Sequence, residues 1–356
     1  MKAAIWHEKK DIRIEEINIP VPGSNEVLVK IKACGICGSD LHEYNNGPFI
    51  IPSKPHPLTG LCAGPVILGH EFSAEVVESG TAVTGYMVGD RVTASALIVC
   101  NECHYCKTGA YNMCIKLGST GFAANGGFAE YAILQDYALY RLPDSVNDDM
   151  GTFVEPLSVA IHAVKRSRLK IGDTAIVIGA GPVGLLVMQA CIFAGATQVY
   201  IVEPIKKRRD IALKCGASAV FDPSHDDVGK AITMLTNGLR ANVAFDCVGS
   251  QAAFDTAMKV TGRRGTICVV GLSIKSIQTP FIRLWGHEKE IVFSSGYENE
   301  FPIAIKLLES KKISVVEMIS GRINLENLIE KGIRPLVESA ENYIKIIVYP
   351  NDSIII

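Results

Sequence analysis

The sequence predicts an α/β protein made of a doubly wound parallel sheet and a second, mostly β domain. Three observations carry this. The 356 residues, 48% hydrophobic and 20% charged, are enough for about two buried cores. From about Thr174, continuous apolar runs alternate with helical segments, as in "TAIVIGAGPVGLLVMQACIFAGA" and "QVYIVEPIKKRRDIALKCGA"; strands covered on both faces read this way. Earlier in the chain, "VLVKIKACG", "EFSAEVVESG", "DRVTASALIV" and "GFAEYAILQD" are short β-rich runs bounded by Gly, Pro, Asn or Asp, the punctuation of a twisted, mostly antiparallel domain. The tail "RPLVESAENYIKIIVYP" ends in a further apolar run that returns to the first domain. The predicted first domain is therefore discontinuous, 1–158 and 294–356 with a cysteine lobe at about 98–116, and the second domain is 159–293.

Composition removes several function classes. The amino terminus "MKAAIWHEKKDIRIEE" alternates charge with isolated apolar residues and lacks the apolar core of a signal peptide. No later run approaches the roughly 18 apolar residues of a membrane span, so a cytoplasmic protein with no membrane partner is expected. In a reducing compartment, eleven cysteines, an odd number, read as metal ligands and buried thiols rather than disulfides. With 35 basic and 37 acidic residues and a formal charge of -2, no basic field offers itself to nucleic acid.

Taken in order, the first chemical cluster is "CGICGSDLHEYNNGP", Cys34 to Pro48, which packs two cysteines, a serine, an aspartate and a histidine into Cys34–His42. Next come His70 and Glu71 in "GHE", and later Glu155 in "VEPLSVAIHA". A catalytic zinc needs mixed N, S and O ligands and one open position, which Cys37, His70 and one or two of these carboxylates would provide from separate loops. Singly, each has a plainer reading: an inert thiol, a satisfied core histidine, a salt-bridge partner. Cys34, Cys62, Cys191, Cys215, Cys247, Cys268 and His162 keep that plainer reading. Between these segments, "CNECHYCKTGAYNMC" sets Cys100, Cys103, Cys106 and Cys114 in C-x2-C-x2-C-x7-C spacing. Four thiolates on one short lobe match a closed structural zinc site, with His104 not needed as a ligand. The lobe lacks the basic helix that a nucleic-acid-binding finger lays on DNA.

In the second domain, "IVIGAGPVG" places Gly179, Gly181 and Gly184 in G-x-G-x-x-G spacing, around Pro182 and Val183, after a strand and at the start of a helix. Glu203 follows nineteen residues beyond Gly184, at the end of the next strand, where a carboxylate meets a ribose hydroxyl. The glycines turn the chain, admit a pyrophosphate and let helix and strand pack, while the helix N-terminus supplies partial positive charge. A dinucleotide, NAD, is the expected cofactor. Arg208, in a run otherwise read as a solvated helix start, flanks the adenosine, and Val248, Val270 and Gly271 are counted as further cofactor contacts.

These motifs together resemble the zinc-dependent medium-chain alcohol/polyol dehydrogenases over essentially the whole chain, and "CGICGSDLHEY…GP", "KPHPLT", "LGHEFSAEVVE" and "FVEPLSV" look closest to the 2,3-butanediol dehydrogenase branch. The resemblance implies a GroES-like catalytic domain and a Rossmann NAD-binding domain. It implies that Cys37, His70 and a Glu hold catalytic zinc, with Glu155 the usual ligand and Glu71 a ligand or a near neighbour. It implies that Ser39 and His42 form a proton relay and that the four-cysteine lobe is filled, giving two zinc ions per chain. Asp40 is expected to orient His70, with a loop cap as its plainer reading, and "NNGPFI" to form a lip on a pocket lined by Phe49, Ile50 and Ile51. The implied substrate is a vicinal diol or α-hydroxy ketone, best 2,3-butanediol and acetoin, acted on by a homodimer or homotetramer. Sorbitol-type polyol and L-threonine dehydrogenases share this machinery. A non-catalytic relative would show eroded site residues, and none of Cys37, Ser39, His42, His70 and Glu155 is lost.

Overall fold

A computed structural model describes residues 1–273 and 275–351. The chain divides into two compact units: Met1–Glu155 with Phe301–Ser310 and the chain from Ile319 onward, and Pro156–Glu300 with Lys311–Met318. Residues 156–158, 294–300 and Lys311–Met318 thus cluster with the second unit, whereas the sequence reading keeps them with the first.

In the first unit, the main sheet runs Leu139–Arg141, Arg91–Ala94, Glu71–Ser79, Glu26–Gly35, Lys345–Tyr349 and Ile319–Asn324, and Tyr131–Gln135 also pairs with Glu26–Gly35. Its neighbours are antiparallel except the last two, which are parallel. A smaller sheet pairs Lys2–Glu8 with Asp11–Glu16 and Val66–Ile67. Trp6, Ile31, Leu68, Phe72 and Phe128 are fully buried in the core they enclose. The register decides where chemistry can collect. Gly35 lies opposite Glu71 on one side and Ile347 on the other, so three strand ends meet two residues before Cys37.

The second unit holds six parallel strands in the order Ala219–Phe221, Gln198–Val202, Thr174–Ile178, Ala241–Asp246, Thr261–Val269, Glu290–Phe293. Numbered along the chain this is the 3-2-1-4-5-6 order of a doubly wound sheet, which binds ligands outside the carboxyl ends where the order reverses. The reversal falls between Thr174–Ile178 and Ala241–Asp246. The helix Pro182–Phe193 is buried throughout Gly184–Cys191, which is why it is apolar all round rather than striped. The predicted α/β class is thus the observed one. Among the described residues, no helix is long and apolar enough to cross a membrane.

Candidate functional site

Cys100, Cys103, Cys106 and Cys114 bring their sulfurs within 4.8 Å of one another. The Cys103–Cys106 and Cys100–Cys114 separations are 3.5 Å and Cys100–Cys106 is 4.0 Å. Four thiolates at about 2.3 Å from a tetrahedral zinc stand about 3.8 Å apart, so the donors fit a closed zinc site. Backbone N–H groups of Cys106 and Ile115 hold the Cys103 thiol down at about 6, while burial pushes Cys106 up to about 12. His104 is exposed, edge-on to Tyr105, and outside the cluster.

Cys37 caps the helix Gly38–Asn46 at its amino end. Helical periodicity puts Ser39, His42 and Glu43 on one face of that helix. Donor atoms of Cys37, His70 and Glu71 lie within 4.8 Å of one another, brought together by the register of Gly35 against Glu71. Ser39 Oγ lies 3.3 Å from His70 Nε2. His70 Nδ1 makes no hydrogen bond and faces Asp40 at 3.7 Å, so its Nε2 side is turned toward Ser39. Asp40 fulfils its cap reading: its carboxylate accepts from Cys37 N at 2.9 Å and Gly69 N at 3.3 Å, while it faces the imidazole without a hydrogen bond to it. Glu155, in the first turn of Val154–Ser167, is 8% exposed. It stands outside the 4.8 Å group, but its charge reaches His70.

The electrostatics are those of a cation site. Burial opposes a charged His70, yet Asp40, Cys37 and Glu155 raise it well above the ordinary value. Burial and Glu71 push the Cys37 thiol up, and burial raises Asp40. One thiol, one imidazole and acidic oxygens converging in a buried pocket are a donor set that zinc accepts, so the residues present fit that ion.

Sequence reasoning missed two members of this region. Lys345 forms a buried ion pair with Glu71, both side chains at 1–2% exposure, and lies 5.9 Å from the Phe153 ring. Its signal was a lone charge inside "YIKIIVYP". Glu43, fully buried, accepts the backbone N–H groups of Phe49, Ile50 and Ile51. One expectation is corrected here: Ile51 is 3% exposed and belongs to the hydrophobic core, so the lip narrows to the half-exposed Phe49 and partly buried Ile50.

At the second unit's reversal point, Gly179 has φ +94°, a turn that other side chains resist. A Cβ on Gly184 would fall on the Gly179 carbonyl, whereas one on Gly181 would meet nothing within 4 Å; the first keeps helix and strand in contact and the second leaves backbone open to a phosphate. Pro182 and Val183 form the first turn of the helix behind them. Glu203 accepts from Ala180 N at 2.7 Å and Ile205 N at 3.0 Å, which fixes its carboxylate beside the turn. Gly179 abuts Val248, and Gly271 abuts Gly249, while Val270 and Gly271 N–H groups both donate to Asp246 O at 2.9 Å. The predicted cofactor residues of these loops thus share one rim. Arg208 lies in the first turn of Lys206–Lys214; its neighbour Arg209, which sequence reading passed over, donates to Glu203 O at 2.7 Å and pairs with Asp222 at 2.9 Å.

A third group, His162, Glu298 and Glu300, also converges within 4.8 Å. Lys165 Nζ donates to Glu300 Oε1 at 2.9 Å and Glu298 N to Oε2 at 2.6 Å, so this is an ion-pair network in which His162 takes part rather than merely packing.

A site of this composition in one unit and a dinucleotide-type sheet in the other define a class, the metal-assisted nicotinamide dehydrogenases. Comparison with known proteins agrees. The family described as "Alcohol dehydrogenase GroES-like domain" matches residues 23–144, and that described as "Zinc-binding dehydrogenase" matches 182–310. The chain is 40% identical to (R,R)-butanediol dehydrogenase of Bacillus subtilis strain 168 over 99% of its own length and 100% of that protein's, and 32% identical to sorbitol dehydrogenase of the same strain over 99% and 98%. The crystal structure of 2R,3R-butanediol dehydrogenase from Bacillus subtilis superposes with TM-score 0.92 at 40% identity, covering 98% of this chain and 99% of that one. The chain belongs to the zinc-binding alcohol dehydrogenase family and is an oxidoreductase.

Proposed function

We propose that this enzyme interconverts a vicinal diol and an α-hydroxy ketone with NAD, with 2,3-butanediol and acetoin as its best pair. The reading is carried by the convergence of Cys37, His70 and Glu71 with Ser39 3.3 Å from His70 Nε2. Zinc bound there supplies a Lewis acid that lowers the pKa of a substrate hydroxyl, and NAD supplies the hydride acceptor. Cys37 and His70 would hold the ion with a carboxylate from Glu155 or Glu71, and the four cysteines a second, structural ion. Ser39 takes the hydroxyl proton, and His42, one turn along the same face and partly exposed, is its route outward. Asp40 keeps His70 turned, and Lys345 balances Glu71.

A donor set with a single thiolate is harder than one with two, and zinc can expand its coordination, which favours substrates carrying a second oxygen. The 40% identity to a butanediol dehydrogenase supports the same substrate. The sorbitol dehydrogenase at 32% identity keeps polyol oxidation as the second reading. Glu203, a fixed carboxylate, favours the ribose diol of NAD and repels a 2′-phosphate. In this reading the protein works as a cytoplasmic homodimer or homotetramer.

The deciding experiment is kcat/KM for 2,3-butanediol against 2-butanol, sorbitol and L-threonine, with NAD and NADP and with metal content measured. A higher value for any other alcohol removes the butanediol assignment, and preference for NADP removes the role of Glu203. One zinc per chain instead of two removes the two-site reading.

A further inference from the structure

The helix Gly38–Asn46 carries more than the relay. Four residues after Ser39, on the same face, Glu43 is a fully buried carboxylate. Among the described residues it receives no side-chain cation. Instead it accepts the N–H of Phe49 at 3.0 and 3.1 Å, the N–H of Ile51 at 3.2 Å, and the N–H of Ile50 between them. Three consecutive amides on one charged acceptor are a strong clasp, because charge-assisted hydrogen bonds are about twice as strong as neutral ones. The chain is shaped to permit it: Gly47 N donates back to Glu43 O at 2.9 Å, and a Cβ on Gly47 would collide with the Glu43 carboxylate and carbonyl. Beyond the clasp, Ile51 is anchored in the core while Phe49 is 45% exposed.

We propose that Glu43 is a positioning residue that sets substrate specificity, by clasping the Phe49–Ile51 backbone onto the Ser39 and His42 face of the helix. One turn, about 5.4 Å, separates Glu43 from Ser39 along the axis. The clasp therefore ties the backbone of an apolar rim, Phe49 and Ile50, to a residue one turn from the group that takes the substrate proton. A rim held by backbone amides cannot swing away to admit a longer, hydroxylated chain, so the clasp favours short apolar diols. This rests on the assigned roles of Ser39 and the diol substrate.

The test is Glu43→Leu, which removes the carboxylate oxygens that accept the three N–H groups. Metal content and thermal stability are recorded beside kinetics and amide hydrogen exchange. Exchange at Phe49, Ile50 and Ile51 should accelerate about tenfold or more while the amides of Leu41 and His42 keep their protection. KM for 2,3-butanediol should rise about tenfold with kcat within about threefold, since the rim contacts substrate but no reacting atom. The ratio of sorbitol to butanediol kcat/KM should rise. Unchanged exchange at the three amides, or a loss confined to kcat, overturns the proposal. If the variant does not fold, exchange in the wild type decides: slow exchange at 49–51 supports the clasp, and rates as fast as those of exposed Lys54 overturn it. If wild-type enzyme turns over sorbitol and not butanediol, the diol reading fails separately, and the exchange measurement still tests the clasp.

Discussion

Removing the ammonium of Lys345 would leave the Glu71 carboxylate charged and out of water, since both side chains are nearly fully buried. Breaking a buried pair from one side costs about 3–5 kcal/mol. Lys345→Met should lower the unfolding free energy by that amount in urea titrations; equal stability would show that another group balances Glu71. Ser39 answers a different question. Ser39→Ala leaves Cys37, His70 and Glu71 in place, so zinc should be retained while turnover falls by about 10²-fold, a typical general acid-base contribution. Near wild-type rates at neutral and alkaline pH would remove Ser39 from the relay. Both residues adjoin the Cys37, His70 and Glu71 group, yet one variant is expected to read out in folding and the other in chemistry.

Elements differ in how openly the sequence announced them. The four-cysteine lobe and the glycine turn are local: their donors lie within fifteen residues in one case and six in the other, so spacing alone carries the geometry. Cys37, His70 and Glu155 were candidates by chemistry, each with a plainer reading, and only the resemblance joined them, because tertiary register rather than spacing brings separate loops together. Lys345 and Glu71 are 274 residues apart, beyond any spacing rule. Glu43 was hidden for another reason, as its partners are backbone amides and every residue has one. The lobe also yields a prediction about its role as an element. With the proposed zinc in the lobe, Cys103→Ser should lower metal content and reduce thermal stability, because a structural site contributes its binding energy to folding. The remaining folded fraction should keep kcat per catalytic zinc, and a proportional loss of kcat would tie the lobe to the reaction.

At the scale of the whole molecule, acid sensitivity has an identifiable contributor. Although burial pushes Glu300 up, hydrogen bonds from His162, Lys165 and the Glu298 N–H bring it down from 4.5 to about 2. A carboxyl depressed in the folded state contributes stability above its unfolded value and loses it as pH falls toward the folded one, here about 3 kcal/mol between roughly pH 4.5 and 2. Glu300→Gln should therefore be less stable than wild type near pH 7, and the gap should close as the pH falls below about 4.5. A gap that stays constant with pH would mean that the network contributes through packing alone. The threading of the chain has a further consequence, for synthesis. All six strands of the parallel sheet have been synthesised by Phe293, whereas the first unit waits for Lys345–Tyr349 to pair with Glu26–Gly35. Throughout translation of the intervening domain, Glu71 lacks the counter-charge of Lys345, which has not yet been made.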